Sequence, residues 1–200
     1  MDSYKESLKF LSEYRDRAKS ESAKFYYSLV DMLSMNYKLI YPIGKREVCT
    51  TMNMDEEARN SFDRVVDHIH YSAMYNMSFS ILEYFNCSFF IEKINKESIK
   101  TRADAERYLK RKYGYKLISF QNLRQVSKYY SDELDINLKN FDMLDFITDI
   151  LIKDRHNSAH SIGIINDQQF IQMELWNLNI VIPMQIFLVD YIDEHFVVNM

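Results

Sequence analysis

Apolar residues recur at three- and four-residue intervals through most of this chain, the spacing of helices that bury one face. Leu8, Leu11, Phe25, Leu29, Leu33 and Tyr37 mark the inner side of one long helix, or of two abutting ones, across residues 3–37, with a break offered by Ser20-Glu21-Ser22. Periodicity fades over 38–54. There Tyr41-Pro42-Ile43-Gly44 is turn chemistry and Lys45-Arg46-Glu47 is exposed charge, so the expectation is a loop, with a short extended piece around 47–51. Asp55 is placed to cap a second long helix, with Glu56 and Glu57 in its first turn, reaching to about Ile94. Phe62, Val66, Ile69, Ala73, Met77 and Ile81 form its expected core stripe. Phe79, Phe85, Phe89 and Phe90 make its second half apolar almost all round, which predicts a central helix covered on two sides.

Downstream, Thr101 and Asp104 resemble a capping pair and Gly114 ends the helix they open. Ser119 is expected to cap a further helix through Tyr130, and 131–139 reads as a polar loop. Asn140 then caps an apolar helix carrying Met143, Leu144, Ile147, Ile150 and Leu151. After a turn at 161–166, Asp167 opens a final helix to about Phe196, which Pro183 splits or kinks. The fold expected is all-α: one domain over residues 1–200, a bundle of five to seven helices, with a basic helical insertion at about 93–130.

Composition narrows the function. Three Gly and two Pro in 200 residues exclude Gly-rich phosphate loops and leave little material for hairpins. A formal charge of −4 is not that of a general nucleic-acid binder, so any RNA contact is local. The place for it is Lys93 to Lys116, where Lys110, Arg111 and Lys112 are candidate phosphate contacts and Tyr108, Tyr113 and Tyr115 candidate platforms for unpaired bases. The plainer alternative is a solvated charged helix. Cys49 and Cys87 are far apart and lack metal-ligand spacing; they read as reduced structural thiols. The first residues lack the apolar run of a signal peptide, and the late apolar segment, Trp176 to Ile192, is too polar to span a membrane, so a cytoplasmic protein is expected.

The densest chemistry is Arg155-His156-Asn157-Ser158-Ala159-His160. Arg155 stands four residues after Leu151 and eight after Ile147, and so continues an apolar stripe. A guanidinium there keeps its charge and needs an anion, a cluster of carbonyls or an opening. Two histidines follow, the side chains best suited to proton transfer near neutral pH. On the long helix, Ser72, Asn76, Ser80 and Glu83 form a polar line: a wet face, or a polar groove in which Glu83 is the carboxylate partner of Arg155. His68 and His70 point to opposite sides of their helix, no spaced His–Glu set marks a metal, and no Ser or Cys nucleophile has an evident base. No cofactor is expected.

Arg155, His156 and His160, at the end of an apolar helix in an all-helical chain, resemble the signature of the HEPN superfamily: Arg, a polar residue, then His, five residues after the Arg here. The resemblance covers about the C-terminal third; Ser161 stands where members often have Gly. It implies metal-independent endoribonuclease activity that leaves 2′,3′-cyclic phosphate ends, often in a toxin–antitoxin pair or in antiviral defence. Arg155 would hold phosphate oxygens and His160 would transfer protons, with His156 and Asn157 in support. Residues five apart on a regular helix point about 140° from each other. The two therefore meet only if the helix ends near Ser158, or if two copies share one cleft. The resemblance implies a homodimer through the Arg155–His160 region, and an antitoxin or regulatory protein as a further partner. Two rivals stand beside it: a non-catalytic helical module that binds RNA or protein and uses Arg155 and His160 structurally, and a viral bundle that holds a host peptide in an apolar groove.

Overall fold

A computed structural model describes residues 2–151 and 180–196, and all of the regular structure among them is helical. The all-α expectation holds. Helix α1 (Asp2–Arg17) and α2 (Glu21–Met35) are separate, and Ser20 makes the break. Its backbone is extended and its hydroxyl accepts the N–H of Ala23 at 3.1 Å, satisfying one of the orphan donors at the start of α2. Asp55 caps α4 (Glu56–Ile94) in the same way, through Ala58 N–H at 2.8 Å. Thr101 and Asp104 form a capping box at the head of α5 (Arg102–Tyr113), and Gly114 closes it in the left-handed conformation at φ 66°.

Residues 38–54 correct the expected loop. A π-helical turn (Asn36–Ile40) runs directly into helix α3 (Tyr41–Thr51). Pro42 lies where the π-helical turn passes into α3, and its fixed φ is already helical. Gly44 takes no positive φ; the left-handed residue that stops this region is Asn53, at φ 47°. Farther on, α6 (Leu123–Leu134) starts later than expected and is capped by Asn122, while Ser119 accepts the N–H groups of Gln121 and Asn122 in the turn before it. Helix α6 extends into the polar stretch read as loop, because Asp135 adopts the left-handed cap there. Asn140 ends a short 3₁₀ turn (Leu138–Asn140) instead of capping a helix. A brief helical turn α7 (Leu144–Phe146) leads into a π-helical one (Ile147–Leu151). The last described helix, α8 (Val181–Glu194), has Pro183 in its first turn, where a proline is tolerated; the expected turn at 161–166 and the expected helix start at Asp167 lie outside the described residues.

Helix α4 is the axis. It touches α2, α5, α6 and α8. Ser22 bonds Glu92 while the Phe25 ring packs against Tyr84, so α2 runs antiparallel to it. Gln185 reaches Ser78 and Phe196 meets Phe89, so α8 runs parallel. The core between them is aromatic: Tyr26, Phe79, Phe85, Phe89, Phe90, Phe120, Tyr129 and Tyr130 are all fully buried. Two polar links cross it. Asn86 donates to the Phe120 carbonyl at 3.0 Å, and Tyr130 donates to the Asn86 carbonyl at 2.8 Å. Residues 102–134 supply Leu109, Phe120, Val126 and Tyr130 to this core, so the basic segment at 93–130 is an integral part of the bundle.

Of the expected stripe on α4, Ile81 is buried and Phe62 and Val66 are half-buried, but its middle faces out. Ile69 is 55% exposed, Met77 48%, and Ala73 also faces out. The buried line runs through His68, Ser72, Tyr75, Phe79 and Leu82. A histidine and a serine on the inner side made it look polar.

Candidate functional site

Arg155, His156, Asn157 and His160 lie outside the described residues. What leads into them is described. Leu144 and Ile147 are buried and fix the turn Ile147–Leu151 in the bundle. Asp149, in that turn, is engaged by Arg124 at 2.5 Å.

Glu83 sits on α4 with its side chain 20% exposed. It accepts from Arg102 at 2.7 Å and from the side-chain amide of Gln121 at 3.3 Å. Arg102 also donates to Glu106 at 2.7 Å, and its hydrogen bonds to these two carboxylates push its pKa up, holding it charged. Behind them burial pushes the Cys87 thiol up to about 12, which leaves it unreactive. The rest of the polar line is turned onto its own helix: Asn76 donates to the Ser72 carbonyl at 2.8 Å and Ser80 to the Asn76 carbonyl at 3.0 Å.

The basic helix α5 divides in two. Lys110 and Arg111 are exposed. Lys112 is ion-paired to Glu133, whose side chain is 5% exposed. Tyr108 donates to the same carboxylate at 2.6 Å, and Tyr113 donates to both Asp132 and Glu133. Desolvation would raise Glu133, but the hydrogen bonds from Lys112 and Tyr108 outweigh it and hold its pKa below the usual carboxylate value. The ring of Tyr113 packs on Tyr129 at 5.4 Å, and Lys128 lies 5.1 Å above it. The tyrosines read as base platforms thus pack against α6, with Lys128 over Tyr113 and Tyr115 and Lys96 over Tyr108.

One cluster was missed in the sequence. Tyr41 and Lys45, one turn apart on α3, face Asp63, Asp67 and His70 on α4. Lys45 reaches Asp67 at 2.8 Å and Asp63 at 3.1 Å. The Tyr41 hydroxyl donates to Asp67 at 2.5 Å, and its ring lies flat on His70 at 3.6 Å and 2°. Burial drives the Tyr41 pKa up and that of His70 down. Desolvation opposes the charge on Lys45, but the two carboxylates win and keep it a cation. Neither Tyr41 nor Lys45 is therefore poised to take a proton. The cluster clamps α3 onto α4. The signal was present as Tyr41-x3-Lys45 and Asp63-x3-Asp67-x2-His70, both at helical spacing, but a loop reading of 38–54 hid the first.

Among the described residues no group of His, Cys, Asp and Glu is arranged to hold a metal ion, and no helix is long and apolar enough to cross a membrane. No family model, curated protein or solved structure matches the chain.

Proposed function

We propose that this protein is an endoribonuclease that cleaves RNA without a metal ion. The observation that carries the reading is the run Arg155-His156-Asn157-Ser158-Ala159-His160 at the end of an apolar helical segment. It is supported by the all-α bundle and by the buried anchor at Leu144 and Ile147 immediately upstream. In the reaction a ribose 2′-hydroxyl attacks the adjacent phosphorus and loses its proton to a base. The P–O5′ bond breaks and O5′ receives a proton, leaving a 2′,3′-cyclic phosphate and a 5′-hydroxyl. His160 takes or gives one of these protons. Arg155 binds phosphate oxygens with its forked donors as charge builds on the phosphorane. His156 and Asn157 orient the phosphate. Glu83 is engaged by Arg102 and Gln121, and the reading assigns it no step. A toxin or antiviral effector, restrained by a regulatory protein, is the setting this chemistry suits.

The test is incubation of the purified protein with total RNA in EDTA, beside the Arg155→Ala and His160→Ala variants. Cleavage by the parent that leaves cyclic phosphate ends, reduced about 10²–10⁴-fold in His160→Ala, is expected. Equal cleavage by all three proteins at equal thermal stability removes both residues from the mechanism. RNA bound but uncut by the parent supports a binding module instead.

A further inference from the structure

The outward side of α4 is unlike the wet side of an ordinary helix. Between Val65 and Tyr84 its exposed positions are Val65, Ile69, Ala73, Met77, Ser80 and Tyr84, and none carries a charge. A helix facing water normally shows charged residues there, whereas the centre of a protein interface is depleted in charge and enriched in Met and aromatics. Val65, Ile69 and Met77 are 46%, 55% and 48% exposed. The strip continues sideways onto α2. Phe25, 48% exposed, meets Tyr84, itself 50% exposed, with ring centroids 5.4 Å apart; seven residues along each antiparallel helix from this contact stand Met32, 64% exposed, and Met77.

We infer that this face is a two-fold interface between two copies of this chain, crossing at Ala73 of α4. Val65, Ile69, Ala73 and Met77 are successive steps of four, a single ridge of the kind that packs into the matching groove of an identical helix at a crossing angle near −50°. Ala73 is the smallest side chain on the ridge and lies between Ile69 and Met77. A two-fold axis that sets the two helices antiparallel there brings Ile69 of each copy toward Met77 of the other, large against flexible, and lets the backbones approach at the crossing. The absence of charge matters most for a self-contact, because a two-fold axis brings every charge near its own like. Size agrees. Six side chains about half exposed, at roughly 180 Å² each, offer on the order of 500–600 Å², which matches the ~65% apolar share of a standard interface burying ~800 Å² per partner. This surface contains none of residues 155–160, and the inference is independent of the RNA-cleavage reading.

Sedimentation of the full chain from about 1 to 100 μM, together with thiol cross-linking, tests it. The parent should sediment as a dimer and Ala73→Arg as a monomer, with unchanged helicity by circular dichroism. Ala73→Cys should be joined to its own copy by a short bis-maleimide, while Lys110→Cys on the basic helix should not. Cys49 and Cys87 are buried and do not compete. A parent that is monomeric at 100 μM overturns the inference, and means that another partner or the chain's own residues cover the face. A dimer that survives Ala73→Arg, or fails to cross-link at position 73, places the contact elsewhere and overturns it too. Because the readout is mass, loss of RNA cleavage by itself leaves this result untouched.

Discussion

Asp193 on the last helix caps the second helix through Ser20. One carboxylate oxygen accepts the Ser20 N–H at 2.9 Å and its hydroxyl at 2.5 Å; the other accepts the Lys19 N–H at 2.6 Å. Ser20 is fully buried and Asp193 is 4% exposed, so water cannot replace these bonds. Beside them Glu92 of α4 accepts the N–H groups of Glu21 and Ser22 at 2.9 and 3.0 Å. Two carboxylates from distant parts of the chain thus hold the N-terminus of α2, where the helix dipole favours negative charge.

Asp193→Ala should strip the Ser20 and Lys19 donors of their acceptor. The expected cost is roughly 2–3 kcal/mol, the penalty of buried donors left unpaired, or about a 5–10 °C fall in Tm for a domain of this size. Glu194→Ala, one residue on and exposed, should stay within about 0.5 kcal/mol. Thermal denaturation of both variants compares them directly; equal shifts would remove Asp193 as the link between α8 and α2.

Gly44 and Gly114 should respond to alanine with opposite signs. Gly44 lies inside α3 without positive φ, and an added Cβ meets nothing within 4 Å. Gly44→Ala should therefore stabilise by about 0.5–1 kcal/mol, because alanine orders more readily in a helix. Gly114 also has open space, but its φ is +66°, so Gly114→Ala should destabilise by about 1–2 kcal/mol. Chemical denaturation midpoints decide. Destabilisation by Gly44→Ala would return residues 41–51 to the turn that Tyr41-Pro42-Ile43-Gly44 suggests.

That pair also marks where the fold is legible in the sequence. Several local signals were read correctly: the Ser20 break, the Asp55 cap, the Thr101–Asp104 box and the Gly114 stop each depend on a residue bonding its own neighbours. The expected Ser119 and Asn140 caps, equally local, failed, and the larger misses depend on distant partners. Helix α3 is held by Tyr41 and Lys45 meeting Asp67, and no local pattern reports that contact. The middle of the stripe on α4 failed for a related reason: hydropathy favours Ile69 and Met77 as core, yet His68 and Ser72 are buried and the apolar ridge faces out. Of the candidate site, Arg155 and His160 rest on sequence alone, while Glu83 and Lys112 proved to have partners, Arg102 and Glu133, that spacing did not suggest.

Lys112 and its neighbours Lys110 and Arg111 should separate stability from RNA binding. Replacing Lys110 and Arg111 together by Ala should leave Tm unchanged, weaken RNA retention in a filter assay and flatten its salt dependence by up to about two phosphate contacts. Lys112→Ala should instead lower Tm, because it frees the Glu133 carboxylate. The pH dependence follows from the depressed pKa of Glu133. A carboxyl lowered on folding adds stability that is present above its ordinary value of 4.5 and is lost as pH falls through the folded value. Glu133→Gln should flatten the fall in Tm below about pH 4.5. An unchanged acid limb would mean that the ion pair adds nothing to folding.

His70 should make the protein lose stability at milder acidity. Its ring lies on Tyr41 at 3.6 Å, and its pKa is lowered, first by burial and against the opposing pull of Asp67. A histidine lowered on folding is neutral in both states above its ordinary value of 6.5, so nothing is lost there. As pH drops below 6.5 the unfolded chain takes up a proton that the folded chain resists, and stability declines until the folded pKa is passed. The groups facing His70 are Tyr41, Tyr71 and Asp67, and of these only the carboxylate favours the cation. His70→Phe keeps an aromatic face for Tyr41 and removes the proton. Its Tm should therefore fall less than that of the parent between pH 7 and pH 5.5, whereas His195→Gln, at the far end of the bundle, should leave this contact and its pH dependence intact. Identical Tm profiles for the parent and His70→Phe would show that the Tyr41–His70 stack carries no pH-dependent share of the clamp between α3 and α4.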